Sequence, residues 1–346
     1  MRNNAIFLLL LFIFYFILII SYNIFSINKK NVDTIYKDKK YNRIRKILMK
    51  EVTNCKNSYN NRLFKLFRKR SNLLIFNKML ISNEILYDNY NCHDVIEKFD
   101  DTFNELSIYY MGKDNLSKSY YAYSLSLYNL VNNASYSFLF SCLTKGDSLC
   151  MHNAFNTICV YSNLDKLRGA LNILNDRCND FNVDLVSLFL TRYNGDRYEL
   201  ADVLKLHFSN YDVNLELCII KYFINIKYDC GRDLFKFLRK KNTSRDLRLE
   251  LIHYYKIVKF DDVREYLYGV INGSKDLECV VLAIDTLSNY KCDDTYSVLR
   301  SKVDDSNYLV SYQAVRSLLI LDGYDEFDSS FEDNIIKTIG FIKDKR

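Results

Sequence analysis

The 346 residues are 49% hydrophobic and 26% charged, the balance of a folded chain, with no proline, no tryptophan and nine glycines. So few breakers argue for helices joined by short connections. The net charge of +6 hides a division: residues 28–70 carry 15 Lys/Arg against 3 Asp/Glu, whereas residues 71–346 carry 32 against 39, which argues against the broad positive surface a nucleic-acid-gripping body needs.

Residues 5–27 read AIFLLLLFIFYFILIISYNIFSI, apolar without a break from Ala5 to Ile20. As a helix, residues 5–27 span about 34 Å, enough to cross a bilayer. No small-x-small cleavage site follows, so the run reads as an uncleaved anchor, not a signal peptide. Arg2 precedes it, and Lys29, Lys30, Lys37, Lys39, Lys40, Arg43, Arg45, Lys46 and Lys50 follow. Positive residues stay on the cytoplasmic side. The expected layout is a single-pass membrane protein with its N-terminus outside and the body in the cytoplasm. Ten cysteines with no C-x-x-C pair fit free thiols in a reducing compartment.

Residues 31–56 predict a basic amphipathic helix with Val32, Ile35, Tyr36, Ile44, Ile47, Leu48 and Val52 on one stripe. Two readings stay open: the helix lies along anionic headgroups, or its charges set topology while the stripe packs on the next element. Helical stretches at Leu73–Ile81 and Val95–Tyr110 follow and predict an atypical unit capping the array. The predicted divisions are a transmembrane helix (5–27), a basic juxtamembrane region with an N-terminal cap (28–111) and a repeat body (112–346).

From Asn115 a beat of about 32 residues sets in. Asn115, Asp147, Asp180, Asp212, Ser244, Asp276 and Ser306 recur at 32, 33, 32, 32, 32 and 30, each a helix-capping residue type. A second series falls midway: Asn133, Asn163, Asp196, Asp229, Asp261 and Asp293. Two caps per period predict two helices per repeat, the mark of an α-solenoid. The eighth residue after each first-series cap is apolar: Tyr123, Phe155, Leu188, Ile220, Ile252, Ile284 and Ala314. A late position in the second helices reads Leu143, Ile173, Leu206, Leu238, Ile271 and Val303. Final helices are expected at about 307–321 and 331–342.

The last repeats resemble the HEAT family in its bacterial form. In DDSNYLVSYQAVRSLLILDG (304–323), Asp305, Val310, Ala314, Leu318 and Gly323 fit that family's pattern, with Ser311 in place of the usual Arg. KDLECVVLAIDTLSNY (275–290) fits through Asp276, Val280, Ala283, Ile284 and Leu287, and Leu247–Arg248 keeps something close to the Val-Arg pair. The resemblance runs over about 212–323 and weakens back to 115. It implies an all-α, right-handed α-solenoid of HEAT-like hairpins and a scaffolding role, with no catalytic residue. A single span followed by such an array resembles bacterial membrane-anchored HEAT proteins that accompany membrane glycosyltransferases.

Chemistry-bearing residues read as structural. His93, His152, His207 and His253 form no compact ligand set. Cys92–His93 reads as loop or cap, not as a nucleophile. The carboxylate pairs Asp100–Asp101, Asp261–Asp262, Asp293–Asp294 and Asp304–Asp305 fall mostly where caps are needed. No glycine pattern cradles a phosphate, and no metal or cofactor site is expected. One candidate partner-binding patch stands out on the second helices: Arg232, Lys236, Arg239 and Lys240 at i, i+4, i+7 and i+8, extended by Arg264 and Arg300. The expected function is a non-enzymatic membrane-anchored scaffold binding a protein partner. The alternatives are a nucleic-acid-binding HEAT-like protein and an enzyme with an unrecognised site.

Overall fold

Side-chain caps punctuate the chain much as the beat predicts. The computed structural model describes residues 38–54, 57–82, 92–128, 132–177 and 180–322, and among these there is no strand. The helices are α1 (38–53), α2 (Asn61–Phe67), α3 (Arg70–Ile81), α4 (Cys92–Lys98), α5 (Asp100–Met111), α6 (Asn115–Tyr128) and α7 (Asn133–Lys145). After them come α8 (Ser148–Tyr161), α9 (Leu164–Asp176), α10 (Val183–Leu190), α11 (Arg197–His207), α12 (Val213–Ile226) and α13 (Gly231–Leu238). The series ends with α14 (Arg245–Ile257), α15 (Val263–Gly273), α16 (Leu277–Leu287), α17 (Asp293–Ser301) and α18 (Tyr308–Leu321). The predicted helix at 331–342 and the apolar run 5–27 lie outside the described residues. No helix among the described residues is long and apolar enough to cross a membrane.

Asp147, Asp212, Ser244 and Asp276 each accept the amide three residues on, at 2.9, 3.2, 3.3 and 3.4 Å. Asn163 and Asp196 cap second helices in the same way. Elsewhere the cap slips by a residue or two. Asp114 takes the role expected of Asn115, Asn132 that of Asn133, and Asn307 that of Ser306. Asp180 pairs with Arg177 at 2.8 Å instead, and Asn182 caps α10. The N-cap positions of α13, α15 and α17 fall on Cys230, Asp262 and Cys292, one residue from the expected Asp229, Asp261 and Asp293.

The slips explain which predicted core positions fail. Tyr123 and Leu188 are 39% and 45% exposed. Counted from the observed caps, the eighth residues are Ala122, Phe155, Leu190, Ile220, Ile252, Ile284 and Val315, and all are buried. Leu206 is a second correction, at 74% exposed. The buried side of α11 carries Leu200, Ala201 and Leu204, and two residues beyond Leu204 a helix has turned about 200° away. The predicted stretch Val95–Tyr110 is two helices, α4 and α5, broken at Phe99, whose backbone leaves the helical region (φ −119°, ψ 35°).

The chain divides into two compact units, Met1–Phe138 and Leu139–Arg346, with the division inside α7. In the first, α2, α3, α5 and α6 pack pairwise, so helices on either side of residues 111–112 share one core. Phe67, Phe76, Phe103 and Tyr128 fill it, with ring centroids 4.8–6.3 Å apart. Buried Asn77 is fully engaged, donating to Ser124 (2.8 Å) and Tyr120 (3.0 Å) and accepting from Tyr128 (2.9 Å). A buried amide so satisfied fixes the register of the helices around it.

In the second unit the helices pack in sequence order, consistent with a helical solenoid. Each first helix of a pair, α8, α10, α12, α14, α16 and α18, packs on the next, while α9, α11, α13, α15 and α17 pack on adjacent first helices. Hydroxyl groups cross between elements to meet backbone groups buried there. Tyr222 donates to the Arg197 carbonyl (2.9 Å), Tyr255 to Gly231 (2.7 Å) and Tyr290 to Tyr255 (2.7 Å). Thr286 and Ser317 reach the carbonyls of Ile252 (3.3 Å) and Ile284 (3.0 Å) on the preceding first helices. Tyr254 does double duty: it donates to the Tyr228 carbonyl at 2.8 Å and accepts the Cys230 amide at 2.9 Å.

Buried backbone groups left without a partner destabilise by about 1–3 kcal/mol. Tyr254→Phe strands two such groups at little change in volume, so its melting temperature by far-UV circular dichroism is expected to fall by several degrees, about 2–4 °C per kcal/mol. Tyr198→Phe, at a side chain 61% exposed, is expected to melt with the parent.

Candidate functional site

Arg232, Lys236, Arg239, Lys240, Arg264 and Arg300 sit on or just after α13, α15 and α17, and most have partners close at hand. α13 ends at Leu238, so Arg239 is its C-cap and Lys240 lies beyond it. The helical stripe therefore stops at Lys236, which pairs with Asp233 at 3.3 Å. Arg239 lies over the Phe235 ring (5.7 Å to the centroid), Lys240 over Phe237 (4.1 Å) and Arg300 over Tyr296 (5.7 Å). Arg264 donates from Nε to the Asp261 carbonyl at 3.1 Å. Arg232 is exposed. The first helices pack on one another in a continuous series, and α13, α15 and α17, which carry these cations, pack against α14, α16 and α18.

Lys240 also faces the field of Glu216, a carboxyl on α12 that is only 9% exposed. Burial pushes Glu216 up to about 7; Lys240 opposes the shift and Asp212 adds to it. Between the ordinary glutamate range and pH 7 the folded chain holds a proton that the unfolded chain has released. Stability therefore falls as pH rises through that window. Glu216→Gln keeps the shape of the protonated form. It is expected to match the parent near pH 4 and to exceed it by about 1–3 kcal/mol at pH 8, read from urea unfolding at the two pH values.

The second chemically distinct place is the start of α17. Cys292 occupies the N-cap position, half-buried and free. Its sulfur lies 3.2 Å from the Thr295 hydroxyl and 3.5 Å from the Tyr268 hydroxyl, and those two oxygens are 2.8 Å apart. Burial pushes the thiol up, but the Thr295 and Tyr268 hydroxyls, the Thr295 amide and the Arg264 guanidinium outweigh it and bring the thiol down to about 7. Arg264 is thus drawn into a cysteine corner. The sequence hides this corner: Cys292 reads as one of ten thiols, and only the fold brings Tyr268 and Arg264 of α15 against it.

Cys142, Cys150, Cys159, Cys218, Cys230 and Cys279 are buried thiols outside any disulfide. Burial raises Cys159 and Cys218 well above the usual thiol range, and Cys230 and Cys279 to about 12 and 11. Since the thiolate is the nucleophile, iodoacetamide near pH 7.5 is expected to label Cys292 first among these seven, as read by peptide mass mapping. Arg264→Gln or Tyr268→Phe is expected to slow that labelling about threefold to tenfold and to move the midpoint of its pH profile upward.

The remaining candidates take structural positions. His152 is buried and accepts the Asn182 amide at 2.9 Å, tying α8 to the start of α10. His253 pairs with Glu250 at 3.3 Å. Asp100 accepts from Asn132 at 2.8 Å, and Asp305 accepts the Asn307 amide at 2.9 Å. Among the described residues no group of three or more His, Cys, Asp and Glu side chains is placed to hold a metal ion. An open hollow of about 370 Å³ among α14, α15 and α16 is lined by Arg248, Tyr266, Gly269, Val270, Ser274 and Cys279.

No protein-family model matches the chain, and neither curated proteins nor solved structures yield a match.

Exposed apolar side chains recur in the first turn of successive first helices, one to three residues after the cap. Leu149 of α8 is 57% exposed, Leu185 of α10 41%, Val213 of α12 41%, Leu277 of α16 38% and Leu309 of α18 53%. On α14 the corresponding turn carries Arg245, which binds Asp276 at 2.6 Å and Glu278 at 2.5 Å on the next repeat. Single exposed leucines are ordinary. Their recurrence at helix starts along the packed series is the feature a docking surface would use.

Proposed function

We propose that the protein is a non-enzymatic, membrane-tethered scaffold whose right-handed, HEAT-like hairpin array binds a membrane-associated protein. The observation that carries this reading is the recurrence of exposed Leu149, Leu185, Val213, Leu277 and Leu309 at the starts of successively packed helices. The hydrophobic stretch 5–27 and the Lys/Arg excess after it support a single-pass anchor with the array in the cytoplasm. Bacterial membrane-anchored HEAT proteins of this layout accompany membrane glycosyltransferases, so a membrane glycosyltransferase is the partner class to test first.

In-cell crosslinking of the full chain, followed by purification from native membranes, is expected to recover a membrane glycosyltransferase. Leu149→Glu with Leu277→Glu is expected to reduce that recovery at least about fivefold while leaving the melting temperature within about 2 °C, since both side chains are exposed. Equal recovery from the doubly substituted chain, or no reproducible partner, would sink the reading. A reporter fused after Arg346 should be active only in the cytoplasm; activity on the other side of the membrane would overturn the orientation.

A further inference from the structure

α1 and α2 enclose a groove whose walls are cationic. Two adjoining depressions, of about 510 and 570 Å³, share Lys39, Arg43, Ile47 and Arg62. The larger adds Lys40, Lys65 and Lys69, over apolar Ile44 and Leu66. Residues 38–72 contain twelve Lys/Arg against two carboxylates, Asp38 and Glu51. Neither carboxylate lines the groove. Glu51 is occupied at its edge, accepting from Arg62 at 2.9 Å and from Asn60 at 2.7 Å.

Three features separate this arrangement from charge that only sets topology. Topology needs positive residues near a span, on any side of any element; here they come from two helices and converge on one concavity. The apolar stripe of α1 is spent on the protein: Ile44, Leu48 and Val52 are at most 3% exposed, so α1 does not lay that face among acyl chains. That packing holds the cations together against their mutual repulsion, which a bound anion would relieve. Lastly, α3 begins with no side-chain cap, and its first-turn residues Ser71 and Asn72 line the groove, with Ser71 accepting from Lys40 at 2.7 Å. The positive end of an uncapped helix adds to the same field.

We propose that this groove binds a compact polyanion carrying two or more phosphoryl groups, either a phosphorylated lipid headgroup or a soluble polyphosphate. Arg43 offers a planar fork to phosphate oxygens, and Arg62, one of whose Nη atoms is held by Glu51, offers its remaining donors. Lys39, Lys40, Lys65 and Lys69 supply point charges around them. One phosphate would leave most of these cations unneutralised, which is why the ligand class is multiply charged. The lipid source rests on the membrane-tethered reading above; the phosphate chemistry does not.

The test uses the full chain in neutral detergent micelles and titration calorimetry with three probes: inorganic tripolyphosphate, dihexanoyl phosphatidylinositol bisphosphate and dihexanoyl phosphatidylcholine. Saturable binding of at least one phosphorylated probe, weakening as salt rises, is expected, with no binding of phosphatidylcholine. Tighter binding of the phosphoinositide assigns the lipid source, and tighter binding of tripolyphosphate the soluble one. Arg43→Gln with Lys65→Gln, one from each wall, is expected to weaken binding at least about tenfold. Lys236→Gln with Arg239→Gln removes the same charge from α13 and is expected to change it less than about twofold. Arg43→Lys with Lys65→Arg keeps the charge and is expected to retain most of the affinity, which separates lost contacts from misfolding.

Absence of saturable binding to both phosphorylated probes would overturn the proposal, as would equal weakening by the α13 pair, which would show only a diffuse field. Release of the full chain from membranes by alkaline carbonate would refute the tether. It would leave the micelle titrations standing, so the two failures are distinguishable.

Discussion

The second unit depends on backbone groups that a single hairpin cannot satisfy. A helix end leaves amides and carbonyls without intrahelical partners, and burying them bare is costly. Here the remedy comes from another element of the stack. Tyr254 closes both the Tyr228 carbonyl and the Cys230 amide, and Tyr290 reaches the Tyr255 carbonyl and accepts the Phe260 amide. Apolar burial drives the helices together, and the hydroxyls choose the register at which they stop. Non-directional attraction alone would let one hairpin slide along its neighbour; a phenol aimed at one carbonyl does not. Tyrosine suits the task because its ring fills the layer between helices while its tip stays polar.

Much of this plan was legible in the sequence because capping is local. Asp147, Asp212, Ser244 and Asp276 announce helix starts through their side chains and those of their near neighbours. The period they set is the period of the structure. The cap is ambiguous where two capping residue types stand close together. Asp180 and Asn182 both qualify, and only the pairing of Asp180 with Arg177 decides between them. That two-residue slip moved the expected core from Leu190 to Leu188. Leu206 misled for a related reason: leucine at roughly the right spacing says nothing about which side of a short helix faces inward.

The candidate site was less legible, because its chemistry is assembled across repeats. Spacing groups Arg232, Lys236, Arg239 and Lys240 as one candidate patch, with Arg264 and Arg300 as its extension. In the fold several of them turn to rings and carboxylates nearby, and Arg264 joins Cys292. No spacing rule links Arg264, Tyr268 and Cys292, since the connection runs through the packing of one hairpin against the next. The Lys/Arg excess of residues 28–70 is visible as composition. Its arrangement as a concavity is not, because composition does not say that α1 and α2 bring their charges onto facing walls.

The hydroxyl crossings also bear on how such an array can change length. One residue inserted within a first helix rotates everything after it by about 100°, which carries Thr286 or Tyr254 away from its carbonyl and turns the buried stripe toward solvent. A whole hairpin inserted at a junction leaves the rotation of the helices on either side of it unchanged. Growth and loss are therefore quantised in helix pairs, and the protein can be lengthened as a row of tiles is, one complete unit at a time.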